Sequence, residues 1–451
     1  MVPSHKQMKT RTHINGIDFD FSALFNGKEK SREDLLSRDE FLSLQILEDQ
    51  TSKHLQEIKQ GKILSHGDKA LFMDLPYQDE ATLREIEQRA CFIRENFDAV
   101  LSVGIGGSYL GNRAVYEALK GPYANFLHRP ALFFLGNNLD PDSLQDVLSI
   151  TDIRTSHIVV ISKSGGTLEP LSCFSILFAM LRDQGLDPAR HVTIITGKHG
   201  SLLEQFGTDQ GIPMLYMPDS IGGRFSVLSV VGLLTSAAVG INIRQLLAGA
   251  GYILPNLLTG NAEENPALML ALTGHLFYQK GKTCHVLMPY SDRLTALGMW
   301  YIQLFAESLG KAGKGRTPLL AVGTTDMHAQ TQQHQQGAKD KVITFLEVKA
   351  FSHAFAVPAI PAPLDRFKGL DYHYLMHLAR RANEQALHQD RRPSSTITLE
   401  KLDAYTLGGL IMFFEVATVI EGLLLAINPF DQPGVEAYKG IMRDVLDSRP
   451  A

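Results

Sequence analysis

Cysteine is scarce. There are three in 451 residues, Cys91, Cys173 and Cys284, far apart and in largely apolar surroundings. An odd, scattered set gives no basis for a disulfide framework and fits buried small hydrophobes in a reducing compartment. Neither sign of charge is in excess: 43 Lys and Arg face 48 Asp and Glu, for a formal net charge of −5 and a pI of about 6.3. That balance argues against a nucleic-acid partner, which needs a strongly basic face, and is compatible with a local basic pocket for a small anion. The N-terminus, MVPSHKQMKTRTHI, lacks the apolar core of a signal peptide. The longest apolar run, residues 410–427, carries Glu415 and Glu421. Two carboxylates inside it argue for a buried helix and against a membrane span. A cytoplasmic location is expected.

What remains is an ordinary globular composition, 44% hydrophobic and 20% charged, long enough for two or three domains of about 150 residues or two larger ones. Residues 1–75 are polar and charged, with helical patches such as 32–59, where Glu33 and Asp34 read as solvated faces. From about residue 95 the pattern changes. Short apolar runs at 99–104, 157–162, 191–196 and 214–217 read as strands, with helix at 168–183. The same alternation returns at 284–289 and 342–348, with helix over 294–309. Apolar runs alternating with helices imply βαβ units and parallel sheets. The expectation is two doubly wound α/β domains: a helical segment 1–75, subdomains 76–240 and 241–425, and at 426–451 an active-site turn followed by a helix.

Two glycine-rich loops follow strands. Gly104-Ile-Gly-Gly107-Ser108 fails the dinucleotide pattern because Tyr109 stands at the third glycine position. A P-loop is absent as well, since Leu276 occupies the upstream glycine position before Gly281-Lys282-Thr283. What is left is a turn whose amides and Ser108 can approach a small anion. Ser162-Lys163-Ser164-Gly165-Gly166-Thr167 joins hydroxyls, a lysine and glycines ahead of a helix. It reads as a phosphate cradle beyond a strand's carboxyl end, or as a capped loop with Thr167 as N-cap.

Charged groups recur in similar settings. Arg224, in GGRFS before an apolar helix at 227–240, is either an oxyanion-stabilising fork or a structural ion pair. Gln303 and Glu307 are four apart, on one face of an apolar helix, so Glu307 is a candidate base or a last-turn surface residue. His328, in TTDMH, is a candidate acid–base group or a surface histidine, and His334 reads as a surface histidine. His373 and His377 have i,i+4 spacing but no HExxH or cysteine partner, so no metal site is expected. FDQPGVEAYK, at 430–439, reads as a rigid turn presenting Gln432, Glu436 and Lys439.

SKSGGT, GGRFS, ESLGK and FDQPGVEAYK occur in that order, with GIGGSYLG upstream. Together they resemble the phosphoglucose isomerase (glucose-6-phosphate isomerase) family over about residues 95–445, at the length of its shorter bacterial form. The resemblance implies two sugar-isomerase (SIS-type) subdomains with mainly parallel sheets and flanking helices. It also implies interconversion of glucose 6-phosphate and fructose 6-phosphate through a cis-enediol(ate), with no cofactor and no metal. By motif, Glu307 is the base, Arg224 supports the enediolate, and His328 and Lys439 assist ring opening. Ser162, Lys163, Ser164 and Thr167 bind phosphate with Ser108 and Gly107, and Gln303 and Gln432 contact substrate. A homodimer is implied, with His328 reaching the other subunit's site. Gly166 departs from the family, where a bulkier or hydroxyl residue is common. A sugar-phosphate-binding regulator and an isomerase of another phosphosugar are the competing readings.

Overall fold

The computed structural model describes residues 9–25, 34–59, 71–198 and 200–448. Its strands, in chain order, are β1 (Arg11–Ile14), β2 (Ile17–Asp20), β3 (Ala99–Val103), β4 (Ala131–Leu135), β5 (Ser156–Ser162), β6 (Val192–Thr196), β7 (Met214–Tyr216), β8 (Cys284–Pro289), β9 (Thr317–Leu320), β10 (Lys341–Ala350) and β11 (Ser394–Lys401). One sheet runs β4-β3-β5-β6-β7, parallel throughout. The other runs β1-β2-β11-β10-β8-β9. Its β9, β8, β10 and β11 are parallel, and β2 joins β11 antiparallel.

Parallel neighbours require crossovers, and helices supply them, among them Leu110–Lys120 and Leu168–Asp183 in the first sheet and Thr295–Leu309 and Tyr372–Gln389 in the second. Helices cover both faces, so β3, β5 and β6 are buried along their whole length. Their sequences are therefore continuous apolar runs rather than alternating ones.

The N-terminal segment is not helical alone. Asn15 and Gly16 both take positive φ, 61° and 71°, and turn the β1–β2 hairpin onto the edge of the second sheet. Helix follows at Arg38–Leu42, opened by a reciprocal cap between Ser37 and Glu40, and at Gln45–Lys59. Arg32 and Glu33, part of the expected helical patch, lie outside the described residues.

The apolar run near the C-terminus is helix Ala404–Leu424, long and apolar enough to cross a membrane, but with 89% of its most apolar window buried inside the protein. It packs on Ile243–Leu257, Pro266–Gln279 and Thr295–Leu309. Its contact with Ile243–Leu257 is backbone to backbone: a Cβ on Gly408 would sit 1.8 Å from the Leu246 carbonyl oxygen. The two carboxylates of this helix differ. Glu421 accepts from Arg316 Nε (2.9 Å) and Nη2 (2.8 Å) in a buried bidentate pair. Glu415 is fully buried, neither oxygen has a hydrogen-bond partner among the described residues, and burial pushes its carboxyl well above the usual range.

Candidate active site

The site is assembled from loops at the carboxyl ends of the first sheet and from helix Thr295–Leu309. After β5, the chain runs through Lys163–Gly166 to Thr167, the N-cap of helix Leu168–Asp183. The Thr167 side chain makes no capping bond. It faces the serines instead, with Oγ1 3.4 Å from Ser162 Oγ and 3.3 Å from Ser164 Oγ. The hydroxyls therefore converge over the start of a 16-residue helix, where amides and dipole favour an anion. A Cβ on Gly166 would meet nothing among the described residues within 4 Å.

Lys163 is braced. Its ammonium donates to the carbonyls of Asp219 (2.5 Å) and Ile221 (3.0 Å), which ties the hydroxyl loop to the segment leading into GGRFS. After β3, the 3-10 turn Gly106–Ser108 carries Ser108. That turn lies against Gly223, and a Cβ on Gly106 would come 3.1 Å from the Gln303 amide nitrogen. The Gly106–Ser108 turn thus meets both the arginine loop and the helix bearing Glu307, and the hydroxyl loop is tied through Lys163 to the segment leading into the arginine loop.

Arg224 is the hub. Its side chain is 1% exposed and every guanidinium nitrogen is used. Nε donates to Ser308 Oγ (2.7 Å), Nη1 to Glu307 Oε1 (3.2 Å) and Gln432 Oε1 (3.4 Å), and Nη2 to the carbonyls of Pro429 (2.6 Å) and Asp431 (3.1 Å). Gln303 Nε2 donates to the other Glu307 oxygen at 3.0 Å. Glu307 is thereby fixed on both oxygens while its side chain keeps 20% exposure. A carboxylate oriented in this way and open on one side is placed for proton transfer to a ligand.

Sequence reasoning did not single out Ser308 or Lys311. Lys311 Nζ donates to the Asn428 carbonyl (2.6 Å) and pairs with Asp431 Oδ1 (2.7 Å), fastening the turn that carries Gln432. Burial pulls its ammonium below the ordinary range, against the pull of Asp431. Both residues lie inside ESLGK, next to Glu307, so the motif held the signal.

Other expected residues make no hydrogen bond or ion pair to this cluster among the described residues. His328 is exposed at the end of the 3-10 turn Thr325–Met327, and its ring makes no hydrogen bond among the described residues. Lys439 pairs with Glu436 (3.1 Å). Helix Pro433–Asp447 follows the turn and begins at Pro433, whose fixed φ suits a first helical turn, so Glu436 and Lys439 lie on that helix rather than on the turn that carries Gln432. The surface reading of His334 is also corrected, since it is 3% exposed and burial lowers its pKa. The apolar helix expected over 227–240 spans Val230–Ala238, starting only after Ser229 caps it. His377 hydrogen-bonds Glu347 at 3.0 Å, and no described group of three His, Cys, Asp or Glu is placed to hold a metal.

Two mainly parallel sheets, with a hydroxyl–glycine loop braced against the segment that leads to the arginine fixing a glutamate, define a phosphosugar isomerase of the sugar-isomerase type. The phosphoglucose isomerase family model matches residues 89–337 and 377–450. The chain is 37% identical over 363 residues, 78% of its length and 79% of the relative's, to the probable glucose-6-phosphate isomerase of Methanococcus maripaludis. It is 38% identical to the glucose-6-phosphate isomerase of Symbiobacterium thermophilum, covering 83% of this chain and 86% of that one. A solved glucose-6-phosphate isomerase from Chlamydia trachomatis shares the fold, with a TM-score of 0.84, 23% identity and coverage of 98% and 91%. The chain belongs to the phosphoglucose isomerase family.

Proposed function

We infer that this chain catalyses the reversible isomerisation of glucose 6-phosphate and fructose 6-phosphate, the aldose–ketose step of glycolysis and gluconeogenesis. The observation that carries the chemistry is Glu307, held by Arg224 on one oxygen and Gln303 on the other and still open to a ligand. The substrate phosphate is held by Ser162, Ser164 and Thr167 with Ser108 and Gly107, while Lys163 keeps the loop in register. Binding energy from that remote group orients the reacting carbons. Glu307 removes the proton from C2 and returns it to C1 through a cis-enediol(ate). A single base serves both carbons when they present one face to it. Negative charge developing on oxygen forms against the Nη1 edge of Arg224, with Gln432 beside it.

His328 and Lys439 open the sugar ring in this proposal. The chain works as a homodimer in which His328 completes the site of the other subunit. Its exposure, with no ring hydrogen bond among the described residues, supports that role. A cytoplasmic location is part of the same reading, supported by the metabolic setting of the family.

The test is conversion of fructose 6-phosphate to glucose 6-phosphate, read through a coupled dehydrogenase, with chelator present and Glu307→Gln alongside. Turnover should survive chelator and fall by about 10²–10⁴-fold in the variant with KM little changed. Unchanged turnover in Glu307→Gln would overturn its assignment as the base.

A further inference from the structure

The second sheet repeats the connectivity of the first. The order β4-β3-β5-β6 is matched by β9-β8-β10-β11. In each, the chain steps to one side of its starting strand and then crosses to the other. The order therefore reverses between β3 and β5, and again between β8 and β10. Ligands of open parallel sheets bind beyond the carboxyl ends of strands at such reversals. In the first sheet this place holds Ser108 after β3 and the Ser162–Thr167 loop after β5. The comparison rests on the reading of that loop as the phosphate cradle.

In the second sheet the same place is a cavity of ≈ 420 Å³. Its walls come from the segment after β8 (Ser291, Arg293), the segment after β10 (Phe351, Ser352, His353) and the first turns of helix Tyr372–Gln389. None of these residues belongs to the Arg224–Glu307 cluster. Nitrogen-bearing side chains dominate its polar lining: Arg293, His353, His373 and Lys401. Arg293, His353 and His373 make no side-chain hydrogen bond or ion pair among the described residues. The lining carboxylate, Asp403, is already engaged by Lys401 (2.7 Å) and by the Thr406 amide (2.9 Å). Phe351, Tyr372 and Met376 add apolar surface for a carbon skeleton.

We propose that this cavity is a second, non-catalytic site for a small organic phosphate that carries a further anionic group. The first cradle uses hydroxyls and glycine amides, which suit a single phosphate. The second replaces them with cationic and imidazole donors, which suit a more highly charged ligand.

Equilibrium dialysis of labelled fructose 1,6-bisphosphate against the full chain tests this. Two sites per chain are expected. Ser164→Ala with Thr167→Val should leave one. Arg293→Gln with His373→Gln should weaken the other at least about tenfold, the cost of one charge-assisted hydrogen bond, and keep fructose 6-phosphate turnover. Ser352→Asp, at an exposed position, should repel the ligand with an unchanged unfolding temperature, which covers the case in which the double variant misfolds. A single site lost only in Ser164→Ala/Thr167→Val overturns the second site and leaves the cradle standing. A single site lost only in the Arg293 and Ser352 variants upholds the second site and overturns the cradle. Two sites indifferent to both sets of second-site variants, or no binding at all, overturn the proposal.

Discussion

Gly107 lies flat against Gly223: a Cβ built on Gly107 would sit 2.1 Å from the Gly223 carbonyl oxygen and 2.7 Å from the Arg224 amide nitrogen. The relation is not symmetrical, because a Cβ on Gly223 would meet the Gly107 Cα at an ordinary 3.7 Å. Gly107→Ala must therefore push the two loops apart and move Arg224, whose position fixes Glu307. A displacement of about 1 Å at a positioned group costs about 10²-fold in rate. Gly107→Ala is expected to lose at least that in kcat and to unfold at lower temperature, whereas Gly223→Ala should stay within a few-fold of the parent. Steady-state kinetics and thermal unfolding of the pair check it, and equal effects from the two substitutions would contradict the contact.

Arg224 offers a second test. Its fork spans Ser308, Glu307, Gln432 and two carbonyls from three nitrogens. A lysine ammonium has three donors at a single point and cannot reach both the Ser308 side and the Pro429 side. Arg224→Lys keeps the charge, so a purely electrostatic role would leave turnover largely intact. The geometry predicts instead a loss of about 10²–10³-fold in kcat, the size seen when a positioned donor to a developing oxyanion is removed. It also predicts a drop in unfolding temperature as buried carbonyls lose their donors. Near-parental turnover in the lysine variant would mean that charge alone matters.

Much of this arrangement is legible in the sequence. β5 could be read because a buried parallel strand is a continuous apolar run and the hydroxyl–glycine loop breaks it sharply. β4, with ALFFL between Pro130 and Gly136, is not legible in this way because a five-residue apolar run does not distinguish strand from helix. β11, SSTITLEK, is polar in composition yet largely buried, since partners such as Glu384 and Glu347 satisfy its hydroxyls at Thr396 and Thr398. The Asn15-Gly16 hairpin signal was present but lay in a charged stretch read as helical. At the site, residue types were readable and the wiring was not. Two partners of Arg224 are backbone carbonyls, at Pro429 and Asp431, and a carbonyl carries no sequence signature.

The shared-site proposal for His328 makes a stoichiometric prediction. His328→Ala and Glu307→Gln should each be inactive as homodimers. In a mixed two-fold dimer with histidine crossing the interface, one site inherits both defects and the other inherits neither. Random exchange of equal amounts should then restore about a quarter of parental activity, since about half the dimers are mixed and each has one intact site. If each site is built from a single chain, no mixed dimer is active. Coupled-assay rates on heterodimers verified by tag purification separate the two.

Glu415 bears on stability rather than chemistry. Burial raises its folded pKa above the ordinary value of 4.5, and no hydrogen bond among the described residues supports the charge. A carboxyl raised on folding holds its proton better in the native state than in the unfolded chain. Its favourable contribution is therefore complete below the ordinary value and is lost as pH climbs through the raised one. Glu415→Gln removes that ionisation while keeping the shape of the side chain. The variant should match the parent in stability near about pH 4 and exceed it increasingly towards about pH 8, with turnover unchanged because Glu415 lies outside the Arg224–Glu307 cluster. Denaturant unfolding across that range measures the difference. A constant offset at every pH would show that Glu415 does not titrate differently in the folded protein.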